Sequence, residues 1–295
     1  MRYKVSHLTS YKYEQLGNLS YNETWLTPRD LPYQKVESTQ LKINPEPAIK
    51  EERRDFFQNI VHYFNIHQEH KEFTVEAVSI IDRQVPEYTE HQEVGVSWEA
   101  WLKAYQQFQP EYIEMRQFSM ASPLVPVFEE LKDYALISFT PERDILAAVT
   151  ELSTRIYHDF EYNPGFTTIA TPLRKVMEAK KGVCQDFAHI AIGCLRSLGF
   201  PARYISGYIE TLPPEGSDAL VGSAASHAWF SAFIPTLGWV DFDPTNNQIA
   251  KDQHLTVAWG RDYTDVPPIK GVIFNSGSHD LSVKVDVIRI NDGNR

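Results

Sequence analysis

A thiol, an imidazole and a carboxylate, the groups that together can carry acyl transfer through a thioester, follow one another along the C-terminal half of this 295-residue chain. Cys184 stands in Gly182-Val-Cys-Gln-Asp-Phe-Ala-His189, after a glycine and before a run whose apolar residues recur at helical spacing. That position predicts the first turn of a helix, where unpaired N–H groups and the helix dipole favour negative charge. The thiolate is the nucleophilic form of cysteine. His227 opens the run Ser226-His-Ala-Trp229. As a strand, this run puts His227, Trp229, Ser231 and Phe233 on one face. A second strand follows at hairpin distance, after Pro235-Thr-Leu-Gly238, and carries Asp241 and Asp243. A carboxylate beside the imidazole fixes its tautomer and stabilises its cation. The two aspartates have the same parity, so alternation does not choose between them.

Other reactive residues read as structural. Cys194 falls mid-helix among Ile190, Ile192 and Leu195, the usual setting of a buried, inert thiol. With two cysteines almost three helical turns apart, no disulfide framework is expected. His189 lies five residues past Cys184, turned well away from the thiol, and reads as a packing residue. His62, His67 and His70 cluster, but strand parity and the lack of a completing ligand argue against a metal. No glycine-rich phosphate loop occurs, and Trp229, Trp239 and Phe242 read as core or cleft wall rather than as a cofactor box. No cofactor is expected.

Composition narrows the classes further. Hydrophobic content of 42% and a net charge of −11 describe a globular chain without a basic face. Nucleic acid and anionic membrane are therefore poor partners. The first ten residues lack the apolar run of a signal peptide, and no later stretch has the length to cross a bilayer. A cytoplasmic location is the expectation.

The elements that must position these residues fall into three stretches. Residues 1–85 alternate apolar and polar over Tyr3–Tyr13, Val36–Ile43 and Phe73–Ile81, with breakers between, and predict a small antiparallel β-sandwich. Residues 86–139 read as a helical connector, with Ser97 capping a helix through Trp98, Trp101 and Tyr105. Residues 140–295 read as an α+β catalytic domain. Ser122-Pro123, Thr140-Pro141 and Thr171-Pro172 look like helix starts, and Gly199 with Pro201 like a stop after the Cys184 helix. Strands are expected over Ala202–Ile209, His227–Ile234 and Trp239–Phe242, with Leu281–Ile290 as a last strand of that domain.

Together, Gly182-Val-Cys-Gln-Asp-Phe-Ala-His189, Leu198-Gly-Phe-Pro-Ala-Arg-Tyr204, Ser226-His-Ala-Trp229, Gly238-Trp-Val-Asp-Phe-Asp-Pro-Thr-Asn246 and Gly260-Arg-Asp-Tyr-Thr-Asp-Val-Pro-Pro268 resemble the bacterial transglutaminase-like superfamily. Leu26-Thr-Pro-Arg29 and Asn59-Ile-Val-His-Tyr-Phe64 are similar to the β-rich module that precedes this domain in one bacterial branch. The resemblance implies a papain-like core and a triad of Cys184, His227 and Asp243, the aspartate before Pro-Thr. It implies a peptide or protein amide substrate, attacked to give a thioester that either water or a primary amine resolves. Hydrolysis is the favoured outcome, transglutamination the alternative, and a silent peptide-binding scaffold a third reading. The Cys184 N–H is expected to hold the oxyanion, with Tyr162, Asn163 or Gln185 near it. Trp229, Arg261, Tyr263 and the turn-rich Thr211–Asp218 are expected to border the substrate cleft. No calcium loop motif appears.

Overall fold

The computed structural model describes residues 1–107, 109–210 and 226–290. Six strands come first: β1 (Arg2–Gly17), β2 (Leu19–Thr27), β3 (Gln34–Asn44), β4 (Ile49–Arg54), β5 (Ile60–Ile66) and β6 (His70–Arg83). Helices α1 (Trp98–Gln106), α2 (Ile113–Arg116), α3 (Glu129–Ser138) and α4 (Ile145–Asp159) follow. Next are β7 (Glu161–Tyr162), α5 (Leu173–Ala179), β8 (Lys181–Gly182) and α6 (Cys184–Ser197). The chain then runs through β9 (Ala202–Ile209), β10 (Ser226–Ile234), β11 (Gly238–Asp243), β12 (Gln248–Ile249) and β13 (His254–Gly260). It ends with β14 (Ile269–Phe274) and β15 (His279–Arg289). The molecule is thus mixed α and β, with antiparallel sheets at its N-terminal end. No helix among the described residues is long and apolar enough to cross a membrane.

Two four-stranded antiparallel sheets, ordered β15-β1-β6-β3 and β14-β2-β5-β4, form the N-terminal region. Alternation drives their assembly: β6 buries every second residue from Phe73 to Arg83. Leu26, Phe64 and Ile66 from one sheet share an apolar cluster with Ile43, Phe73 and Val75 from the other. The last two strands differ from expectation. The stretch Leu281–Ile290 was expected within the C-terminal domain, but β15 pairs along β1 from Tyr3↔Arg289 to Tyr13↔His279. Likewise β14 pairs with β2. The physical reason is edge coverage: without them β1 and β2 expose unpaired backbone along one side.

The second region is a five-stranded antiparallel sheet, β12-β11-β10-β9-β13, with α3 to α6 packed on one face. Ala228, Phe230, Ala232 and Ile234 of β10 face α6, whose Ile190 and Leu195 join the same core as Leu131 of α3 and Val149 of α4. A Cβ at Gly193 would stand 2.8 Å from Leu131, so this glycine lets α3 settle against α6. The edge strand β13 is covered by side chains from the N-terminal region. Buried Gln34 accepts from Thr256 N–H (2.9 Å) and donates to its carbonyl (2.7 Å). Asn59 does the same for Trp259, at 3.0 and 2.8 Å. Two amide side chains thereby take the hydrogen bonds that a further strand would make.

Ser97 caps α1, accepting from Ala100 N–H at 3.3 Å. Two other expected starts differ. Thr140-Pro141 sits in a turn, and α4 begins five residues beyond Thr140. Asp144 is its cap, taking Leu146 and Ala147 N–H on Oδ1 and the N–H groups of Val94, Gly95 and Val96 on Oδ2. A carboxylate that satisfies five donors wins over a threonine that reaches only its local turn. Ser122-Pro123 likewise opens a turn closed by Ser122 and Val125, not a helix.

Candidate active site

Helix α6 starts at Cys184, and a short parallel pairing of β7 with β8 delivers the chain into it. Asp186, the third residue of the helix, accepts from Val183 N–H (2.8 Å) and from Thr167 (2.6 Å) on Oδ2. Those bonds hold the carboxylate against the entering backbone, while burial pushes its pKa up. A side chain at Gly182 would stand 2.6 Å from the same oxygen, so glycine is required for this close approach. The half-buried Cys184 is thereby fixed at the helix N-terminus. Cys194, almost three turns on, is fully buried, and burial pushes its thiol up to about 12.

His227 comes from β10 and Asp243 from the end of β11, with Nε2 and Oδ2 2.8 Å apart. Burial works against the His227 cation, but its hydrogen bond to Asp243 and the nearby Cys184 side chain outweigh it, and its pKa is pushed up to about 10. With Nε2 taken by the carboxylate, Nδ1 is the ring nitrogen left for sulfur. Cys184 thus lies beside the imidazole, and the imidazole is bonded to the carboxylate. Asp241, which alternation left open, faces Ser231 across the hairpin and makes no bond to His227; its Oδ1 is buried without a hydrogen-bond partner among the described residues.

Asp243 accepts more than one imidazole. His254, opening β13, places Nε2 3.0 Å from the same Oδ2, and Asn246 Nδ2 reaches that oxygen at 2.6 Å. Thr245 and Asn246 N–H close on Oδ1 at 2.9 and 3.2 Å. Burial alone would raise the Asp243 pKa; the two histidines reverse this and hold it well below the usual carboxylate range. The tautomer of His254 follows from its other nitrogen. Lys251 N–H donates to Nδ1 at 3.3 Å, so the proton is on Nε2 and points at Asp243. Burial lowers the His254 pKa, which keeps the ring neutral. Neither His254 nor Asn246 was given a role from sequence. His254 lies on a strand that reaches β10 only through β9, and no spacing in the chain signals that contact.

The remaining expected residues divide. Gln185 follows Cys184 in the first turn, and the exposed Tyr162 lies close enough to feel its charge; burial and then Cys184 raise the phenol's pKa. Asn163 is turned aside: its Nδ2 donates to Glu161 at 3.0 Å. Trp229 is fully buried, its ring 6.0 Å from that of His227 and 5.2 Å from that of His254, so it backs the imidazoles and offers substrate no surface. Arg261 is clamped to Asp265 by two bonds of 2.9 Å. Tyr263 donates its N–H to His189 Nε2 (3.2 Å), and the His189 ring packs at a tilt, 5.0 Å from that of Tyr204, in the core. The turn-rich Thr211–Asp218 lies outside the described residues.

Comparison with known proteins gives these contacts a family. Residues 3–82 match the bacterial transglutaminase-like N-terminal region, and residues 137–244 match the transglutaminase-like superfamily. An uncharacterised protein of Mycobacterium tuberculosis is 38% identical, covering 97% of this chain and 92% of its own length. A solved structure from Cytophaga hutchinsonii, described as a candidate cysteine protease, is 20% identical; it covers 99% of this chain and 92% of its own, with a TM-score of 0.74. That likeness shows a shared fold. A Pseudomonas aeruginosa protein-glutamine gamma-glutamyltransferase is 35% identical over 71 residues, which is 24% of this chain and 11% of that protein. The family and the free thiol at the start of α6 together support a thiol-dependent enzyme. On its sequence matches, the chain belongs to the transglutaminase-like superfamily, in the branch that carries the bacterial transglutaminase-like N-terminal region.

Proposed function

We propose that the protein hydrolyses amide bonds in peptides or proteins, with Cys184 as nucleophile, His227 as general base and acid, and Asp243 as the group that orients His227. The observation that carries this reading is the 2.8 Å bond between His227 and Asp243, with the Cys184 side chain beside the same ring. His227 Nδ1 holds the proton taken from Cys184 while the thiolate bonds to the carbonyl carbon. The C–N bond then breaks and the leaving amine takes that proton, which leaves a thioester on Cys184. Water attacks the thioester, giving its proton to His227, and the acid departs as sulfur is reprotonated. The Cys184 N–H has no acceptor within the helix it opens and is placed to hold the oxyanion. Tyr162 and Gln185 flank the attack site.

A second reading, transfer of the acyl group to a primary amine, is favoured by the name of the Pseudomonas aeruginosa relative. The same thioester serves both. Mass spectrometry of glutamine peptides incubated with and without a primary amine separates them. Hydrolysis predicts cleaved or deamidated products in both tubes, and transfer predicts an amine adduct in one. Product formation that survives Cys184→Ala would sink both.

A further inference from the structure

A cavity of about 1040 Å³ opens on the face of the β9–β11 sheet away from α6, between the N-terminal region and the connector. Cys184, His227 and Asp243 are not among its lining residues. Its walls are largely apolar, with Leu31, Phe57, Met115, Phe118 and Leu237 around two arginines and two indoles. The Arg29 guanidinium lies 3.2 Å from the centre of Trp259, and that of Arg203 3.7 Å from the same centre. Two guanidiniums that close must occupy opposite faces of the ring. Arg203 also lies 4.2 Å from Trp239, which makes a ladder of Arg29, Trp259, Arg203 and Trp239.

The ladder holds two cations that no carboxylate bonds directly among the described residues; Asp241 acts on Arg203 and Asp55 on Arg29 from farther off. Arg203 is 7% exposed, and its Nε has no hydrogen-bond partner among the described residues. Arg29 donates to Phe57 O and Asn59 Oδ1, both neutral. Among the described residues, neither guanidinium forms an ion pair within 4.0 Å. Burial pushes Arg29 down to about 9 and Arg203 to about 10, although Asp55 and Asp241 pull the other way. Stacking on indole offsets part of that desolvation, and a guanidinium so fixed presents its fork to a carboxylate.

We infer that this cavity is a second, non-catalytic site that takes the C-terminal end of a peptide with apolar last residues, its free carboxylate held by Arg29 and Arg203. Size argues for a peptide over a small acid, because the volume stands at the upper end of the ~300–1,000 Å³ usual for drug-sized ligands. The rim argues likewise: exposed Phe56, Val85 and Ile113 continue the apolar wall outward. Glu87 and Glu114, exposed at that rim, disfavour further acidic residues in the emerging chain.

The test is fluorescence anisotropy with a fluorescein-labelled Lys-Leu-Phe-Leu peptide bearing a free C-terminus, against the same peptide with a C-terminal amide. Both are titrated into the unmodified protein and into Cys184→Ala. The free acid is expected to bind at least about tenfold tighter, a difference of about 1.4 kcal/mol, equally in both proteins. Arg29→Gln and Arg203→Gln, each checked by thermal melting, are expected to remove that preference. Equal binding of acid and amide overturns the inference and needs no variant. So does full competition by 3-phenylpropionate or inorganic phosphate at the peptide's own concentration. Binding abolished by Cys184→Ala would place the peptide in the active site and also overturn it. None of these outcomes depends on the protein being a hydrolase.

Discussion

Asp243 accepts from His227, His254 and Asn246 on one oxygen and from two backbone N–H groups on the other, so neither its position nor its charge has much freedom. Replacing His254 by leucine removes one donor that keeps Asp243 ionised. Steady-state kinetics are expected to show kcat down about 10²-fold with KM little changed, since a misplaced base costs about that much. The acid limb of the profile should move to higher pH, because a carboxylate with fewer donors protonates sooner. His254→Gln, which can still donate, should restore both; a variant with unchanged kinetics and limb would show that His254 only fills space. For His227, pushed up to about 10, the cation favours folding below about 6.5, and that contribution is lost as pH rises through about 10. Asp243, depressed, favours folding above its usual range near 4, and its contribution is lost in acid. We therefore expect kcat/KM to fall through about pH 10 as the imidazolium that protonates the amine disappears, with no matching fall in iodoacetamide labelling of Cys184. Cys194 should label far more slowly at neutral pH, since its thiol is buried. That Cys184 opens a helix and His227 lies in a strand was legible in residue type and setting. Asp243 over Asp241 was not legible from alternation, and His254 was invisible because strand order, not spacing, brings it in.

At the scale of elements, the close approach of β9 to the histidine row depends on Gly207. A Cβ there would stand 2.3 Å from Leu255 O and 2.5 Å from the Trp229 ring. That ring lies directly behind His227 and His254. Gly207→Ala is expected to destabilise the protein by about 1–3 kcal/mol, as overpacking does, and to depress kcat by pushing Trp229 into the imidazoles. Chemical denaturation alongside turnover would check this, and unchanged values for both would refute it. Periodicity made α6, β9, β10 and β11 readable, because each has one face against the shared core. Helix starts were less readable. Thr140-Pro141 carries the right local chemistry for a cap, but Asp144 has a tertiary task with residues 94–96 that no short window contains.

Across the whole molecule, β15 was readable as a strand from its alternation, yet its partner was not, since Tyr3 and Arg289 stand at opposite ends of the sequence. The family boundary at residue 82 has the same blind spot: it stops short of β14 and β15. A chain truncated after Pro268 is expected to lose cooperative melting of its N-terminal sheets and to associate through the bared edges of β1 and β2. Analytical ultracentrifugation would show this; a monomer melting like the intact protein would contradict it. The wiring also sets a clock. The roughly 185 residues between β6 and β14 take about 10–40 s to synthesise at ~5–20 residues per second. Throughout that interval the earlier sheets wait with raw flanks, and strands translated well after them are the ones that close them.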